Sequence, residues 1–390
     1  MDYLIIANLF LLLFLGLADN QMIAALLPVL MRSFRVGVGL AGMLVVVYSV
    51  AAAGAGFLFG SLSDRYGRRR FLWLGAGVFA AASWLASSSQ SFSGLMAARV
   101  LTGLAAGTIS TCSLAYAGDW FHYSVRGRAI GLISIAYFAA PVIGVPLGAV
   151  VADRYGWRRT FLLFALLAVC VGSLSLTLER DASAPRKFSG IESLRVFKLF
   201  LAQSDLVAAI LVAFLVSGGL VGFITYIGEW LSSRFALTTR GIGWVFMLAG
   251  LVAIAGAPLG GALSDRWSKR SVSIAGNVLL ALAVSFITLF SWGSLLLIVF
   301  GLAAFGAAFR QGPLTALMTE MVPSTRRGSF MALRNVSSQL GIGAAAFAGG
   351  ILYQHYGYAA VTSLCAAMTA AVAVLLWTAI REPQGAEVKG

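Results

Sequence analysis

Asp19, Arg99, Glu229 and Arg310 each interrupt a long apolar run, where an ionisable side chain needs a partner or a wet cavity. Asp19 is best placed for proton chemistry. A dry site favours a neutral carboxyl and a nearby cation favours a carboxylate, so a group whose neighbour changes between conformations can take up and release a proton. Arg99 suits the partner's role because a guanidinium stays charged throughout. Asn20 and Gln21 add a hydrogen-bonding stretch beside Asp19. A static ion pair between helices is the other reading of these two residues. Arg310, followed by Gln311 and Pro313, is a cation at depth that could bind a carboxylate or phosphate, or neutralise Asp19 or Glu229. None of this is bond-making chemistry. No Ser-His-Asp set or paired catalytic carboxylate is apparent. His122 and His355 lie far apart, and Cys112, Cys170 and Cys365 sit singly in apolar runs, so neither a metal site nor a disulfide framework is expected.

The elements that must carry these residues follow from composition. Hydrophobic residues make up 60% and charged ones 11% of the 390, so most of the surface must face lipid. Apolar segments of about 20 residues between polar breaks predict twelve membrane spans. They cover 4–31, 38–60, 71–90, 93–118, 128–151, 159–178, 205–230, 241–263, 271–291, 293–318, 329–353 and 358–380. The first, interrupted by Asp19-Asn20-Gln21 and without a basic leader, is read as a membrane helix and not as a signal peptide. The long polar break at 179–204 is read as a linker between an N-terminal half, 1–178, and a C-terminal half, 205–390. With both termini inside, cytoplasmic segments carry about 18 Lys and Arg against about seven outside. The formal net charge of +14 is therefore a topology signal spread over short turns beside anionic lipid, and nucleic acid is not expected as a partner.

The chain also repeats itself. Gly60-Ser-Leu-Ser-Asp64-Arg65-Tyr-Gly67-Arg68-Arg-Arg70 recurs 201 residues later as Gly261-Ala-Leu-Ser-Asp265-Arg266-Trp-Ser268-Lys269-Arg270. At the same offset Asp119 maps to Glu320, Arg126-Gly127 to Arg327-Gly328, Gly148 to Gly349 and Tyr155-Gly156 to Tyr356-Gly357. This register predicts an all-α integral membrane protein of two parallel six-helix halves, related by a pseudo-twofold axis along the membrane normal, with a binding site near the midplane. Arg310 falls on Ile109, so symmetry does not account for it.

These residues resemble the Major Facilitator Superfamily of transporters over essentially the whole chain. Gly60–Arg70 matches the family's loop 2–3 signature, with Ser268 replacing the glycine in the second copy. Arg99 lies in its fourth-helix motif, Asp19 precedes Pro28 by nine residues as in many proton-coupled exporters, and Gly144-Val-Pro146-Leu-Gly148 partly matches the antiporter signature, in a form similar to bacterial sugar- and purine-efflux members. The resemblance implies a cytoplasmic gate of Gly60, Asp64, Arg65, Gly67, Arg68, Asp119 and Arg126, with Asp265, Arg266, Glu320 and Arg327 as its second-half counterpart. Gly60 and Gly67 would permit close helix approach and a tight turn, while the arginines also serve as topology signals. The family's cavity is lined by helices 1, 4, 7 and 10, which brings in Asn20, Gln21, Tyr226, Glu229, Arg310 and Gln311; Tyr116, Tyr137 and Asn335 could also reach a cavity, with helix packing as their other reading. No phosphate-binding loop or nucleotide domain is present, so no cofactor is expected and a proton gradient would supply the energy, roughly 2.3 kcal/mol per charge per 100 mV. The expectation is a monomeric secondary transporter of a bacterial cytoplasmic membrane, exporting a small organic molecule by proton antiport through alternating access. Uptake of an organic anion, lipid or lysolipid transport, and a non-transporting sensor remain as alternatives.

Overall fold

The structure is a computed structural model and describes residues 3–179, 199–323, 327–380 and Glu382, without the side chains of Ser61, Asp64, Tyr123 and Ser124. Among the described residues twelve helices are long and apolar enough to span a membrane. They are α1 (Tyr3–Phe34), α2 (Val38–Tyr66), α3 (Arg68–Ser88), α4 (Phe92–Trp120), a segmented α5, α6 (Trp157–Ser175), α7 (Ser204–Phe235), α8 (Thr239–Arg266), α9 (Lys269–Phe286, continued by a 3-10 turn to Leu289), α10 (Ser294–Glu320), α11 (Arg327–Tyr356) and α12 (Tyr358–Thr378). Helix α5 runs as Tyr123–Ser134 and Ala136–Ala139, passes through a π-helical turn at Ala140–Gly144, and ends as Val145–Tyr155. Most helices outrun their apolar spans by a few residues, because the hydrogen-bonded ladder continues into polar sequence. The expected linker, 179–204, falls largely outside the described residues.

The 201-residue register is written into the backbone. Phe34 and Phe235 end the first helices of the two halves, Val38 and Thr239 begin their second, and Tyr155 and Tyr356 end their fifth. Arg35 and Ala236 both take φ 54°, and Gly156 and Gly357 take 85° and 77°, so each half turns its chain the same way at the same points. Gly67 breaks the match. It turns at φ 93°, a left-handed region that suits glycine, whereas Ser268 is extended and uses its hydroxyl to cap Ser271 N at 3.2 Å. Glu382 completes the replacement by accepting from the Ser268 hydroxyl and, at 3.0 Å, from Lys269 N.

Small residues let the helices close up. A Cβ on Gly103 would fall 2.9 Å from the Cα of Tyr48, and one on Gly107 would fall 2.8 Å from the Cα of Ala52, so this pair seats α4 on α2. The halves meet along α2–α11 and α5–α8, and also where α1 crosses α7. These contacts concentrate at the end remote from where α1 starts and α12 stops, here the far end. There Gly39 packs on Gly350, Gly42 on Tyr226, Gly228 on Ala24 and Gly243 on Pro146. At the near end, by contrast, the ion pairs Arg68–Asp119 and Lys269–Glu320 each stay within one half. The two halves are therefore closed at the far end and parted at the near end.

Candidate functional site: a central cavity and a buried ion pair

Between the halves lies a cavity of about 360 Å³, within the range of small-molecule sites. Its walls come from α1, α2, α4 and α5 of one half and from α7, α8, α10 and α11 of the other. The lining follows the repeat in places: Gly16 and Ser217, Val45 and Phe246, Ser110 and Gln311, and Tyr137 and Ser338 are equivalent positions, and all face it. Phe223, Phe246 and Phe300 form an aromatic floor toward the far end, with ring centroids 5.9 Å apart for Phe223–Phe300 and for Phe246–Phe300. Polar side chains gather nearer the open end: Ser110, Tyr137, Gln311, Arg334, Asn335 and Gln339.

Asp19 and Arg99 form an ion pair that is wholly buried between α1 and α4. Neither lines the cavity. Tyr48 and Asn20 stand between them and it. The Arg99 guanidinium lies 4.5 Å from the centre of the Tyr48 ring, the Tyr48 hydroxyl donates to the Gly16 carbonyl at 3.0 Å, and Asn20 Oδ1 accepts from Arg99 at 3.5 Å. Both Asn20 and Tyr48 face the cavity. Asp19 Oδ1 and Arg99 Nε have no hydrogen-bond partner. A carboxylate with one oxygen engaged and one unmet, a single side chain away from a cavity, is chemically suited to exchanging a proton through modest motion of Asn20 or Tyr48.

Of the residues expected in the cavity, Asn20, Gln21, Tyr137, Gln311 and Asn335 line it. Tyr116, Tyr226, Glu229 and Arg310 do not, and their side chains have other work. Tyr116 is buried and donates to the Glu179 carbonyl at 3.2 Å, tying α4 to the end of the first half. Tyr226 donates to the Ala346 carbonyl and packs on Gly42 and Gly349, within the far-end seam. Glu229, half-buried on the same helix, faces the charge of Arg32 across that seam. Arg310 points away from the cavity into its own half, where it donates to Asn277 Oδ1 at 2.6 Å and to the Val216 carbonyl at 3.3 Å. It pairs with neither Asp19 nor Glu229, and its Nε has no partner.

Sequence reasoning passed over Arg334 and Tyr48. Arg334 had a signal: it is a cation inside a span, and its counterpart at the repeat offset is Ile133. Tyr48 carried the same mark, since its counterpart is Ala249.

The near-end charges brace each half internally. Arg68 Nε meets Asp119 at 2.6 Å and, 201 residues on, Lys269 Nζ meets Glu320 at 2.6 Å. Arg69 donates to the Leu176 carbonyl and Arg270 to those of Leu376 and Trp377. Arg126 donates to Phe121 O at 3.3 Å and Arg327 to Val322 O at 3.4 Å. Ser63 and Ser264 donate to the carbonyls of Gly60 and Gly261, each at 2.7 Å. The second cluster is thus corrected. Lys269 is the partner of Glu320, while Asp265 and Arg266 are exposed and enter no ion pair among the described residues. Arg65 lies over Tyr66, 5.3 Å from its centre. The expected role of Asp64 rests on a side chain outside the described residues. All three ion pairs among the described residues stay within one half, as expected where the near end is parted.

Comparison with known proteins agrees with this architecture. The MFS-type transporter YwfA of Bacillus subtilis (strain 168) is 29% identical over 359 residues, covering 90% of this chain and 86% of its own. The chloramphenicol resistance protein of Streptomyces lividans is 28% identical over 259 residues, 66% of each chain. The crystal structure of a D-xylose–proton symporter superposes with a TM-score of 0.81 over 97% of this chain and 98% of its own; at 18% identity the likeness speaks for the fold. The sequence pattern of the Major Facilitator Superfamily matches residues 9–238 and 209–390. With two matches that together span nearly the whole length, the chain belongs to the Major Facilitator Superfamily.

Proposed function

We propose that this transporter exports a small organic molecule by proton antiport, alternating between the near-open arrangement described above and one parted at the far end. The observation that carries the proposal is the buried Asp19–Arg99 pair, held one side chain back from the cavity by Tyr48 and Asn20. Coupling requires that substrate and proton compete for one conformational equilibrium. A substrate that displaces Asn20 or Tyr48 loosens the pair, and protonation of Asp19 frees Arg99 for other partners. The likeness to the chloramphenicol resistance protein of Streptomyces lividans supports export. The distribution of Lys and Arg supports a cytoplasmic near end, and the protein is read as a monomer in a bacterial cytoplasmic membrane. Export then starts from the state in which the cavity opens to the cytoplasm.

The test uses everted vesicles with an acidic lumen and two radiolabelled probes, chloramphenicol as a neutral solute and 4-hydroxybenzoate as an anionic one. The wild type accumulates a probe only with the gradient. Asp19→Asn is expected to lose gradient-driven accumulation by at least about tenfold while probe exchange at equal pH persists. Undiminished accumulation by Asp19→Asn removes Asp19 from coupling. Accumulation only when the lumen is alkaline reverses the direction in favour of uptake.

A further inference from the structure

Among the described residues the cavity presents a single formally charged side chain, and it is a cation. Arg334 leaves the near-end third of α11 and lines the cavity, where its Nε reaches the Met318 sulfur at 3.1 Å. No Asp or Glu is among the lining residues, and Arg334 enters no ion pair among the described residues. Tyr137 approaches from α5 within electrostatic reach of the guanidinium. Gln339, about one and a half turns further along α11, carries an Oε1 without a hydrogen-bond partner among the described residues.

Charge bookkeeping around the cavity is lopsided. The first half contributes a neutral pair, Asp19 with Arg99. The second contributes Arg310, whose partners are an amide and a carbonyl, together with Arg334, whose partner is a thioether. Two guanidiniums at membrane depth with no carboxylate partner among the described residues leave positive charge there, and such charges are retained where function needs them. The repeat does not explain Arg334, because Ile133 stands at the equivalent place and lies outside the cavity lining. A planar guanidinium matches a carboxylate with two parallel hydrogen bonds. The rest of the cavity matches the rest of such a molecule, since the aromatic floor of Phe223, Phe246 and Phe300 lies deeper than the polar rim.

We infer that the cavity takes an organic anion: its carboxylate is held by Arg334 beside Tyr137 and Asn335, and its apolar body rests on the aromatic floor. The inference rests on reading this cavity as the transport site, and is independent of proton coupling and of direction. The anion meets the guanidinium near the open end while still partly hydrated, then exchanges water for the floor as it moves inward.

Binding without any gradient tests this on the purified full chain. The probes are 1-naphthoate, 1-naphthamide and 1-naphthyltrimethylammonium, read by thermal shift and by titration. Naphthoate should stabilise the wild type more than either analogue at equal concentration, and its affinity should fall with added salt. Arg334→Gln should weaken naphthoate binding by about tenfold or more and bring it level with the amide, while Arg334→Lys keeps part of the preference. Lys269→Ala, in a near-end brace away from the cavity, should leave the preference intact, and because this assay imposes no gradient a failure of coupling reads differently from a failure here. Equal or tighter binding of the amide or the ammonium to the wild type overturns the proposal. So does unchanged naphthoate affinity in folded Arg334→Gln, or a wild type that no naphthyl probe stabilises.

Discussion

The two halves are closest to identical where they carry surface charge and least alike where they bury it. At the near end, brace answers brace across 201 residues, down to the carbonyls that Arg126 and Arg327 select. In the interior each half sets one arginine fully buried in its fourth helix, Arg99 in α4 and Arg310 in α10. The first is met by a carboxylate and the second by an amide. The difference teaches that these charges answer to separate demands. Braces hold three-helix units rigid whichever way the halves tilt, so both copies need them. A titratable pair is needed once, and the other half is left positive.

The largest test of that contrast is stability after removing each buried arginine. Arg99→Leu strands the Asp19 carboxylate and should cost about 3–5 kcal/mol, most of it recovered in Arg99→Leu/Asp19→Asn. Arg310→Met strands no charge and should fall well short of that loss, or gain stability. Equal penalties for the two would erase the distinction. Next in size, Asn277→Ala takes from Arg310 its 2.6 Å acceptor and should cost about 1.5–3 kcal/mol, measured by chemical denaturation in detergent. Smallest are the braces. Arg68→Ala and Lys269→Ala remove partly exposed ion pairs, each worth about 0.2–1 kcal/mol, and the two losses should agree closely because the geometry is shared.

Spans and register were legible because apolar length and a repeated charged turn are one-dimensional signals. The direction a side chain takes from its helix was not. Helices that are apolar on every side carry little periodic information about which face is which, and neighbouring residues diverge by about 100°. Asp19 turns toward α4 while Asn20 and Gln21 turn to the cavity; Arg310 turns inward to α9 while Gln311 turns out. Tyr116 and Tyr226 have the residue types of a binding site but spend their hydroxyls on backbone carbonyls. Lys269, by contrast, was legible in principle: the offset that pairs Asp119 with Glu320 also pairs Arg68 with Lys269.

The wide turn at Ala140–Gly144 gives α5 a property its counterpart lacks. Gly341–Ala345 of α11 is regular α-helix, although both helices hold the same number of residues between Arg126 or Arg327 and Tyr155 or Tyr356. Winding an extra residue into one turn shortens a helix by about 1.5 Å. The cavity is thus flanked by struts of equal residue count and unequal winding, and α5 holds one residue of slack that rewinding to α-helix would release. The slack sits against α1, with Gly144 facing Ala18, the residue before Asp19 in the chain. A change of strut length on one side alone converts to tilt, and here it is housed beside the residue proposed to carry the proton.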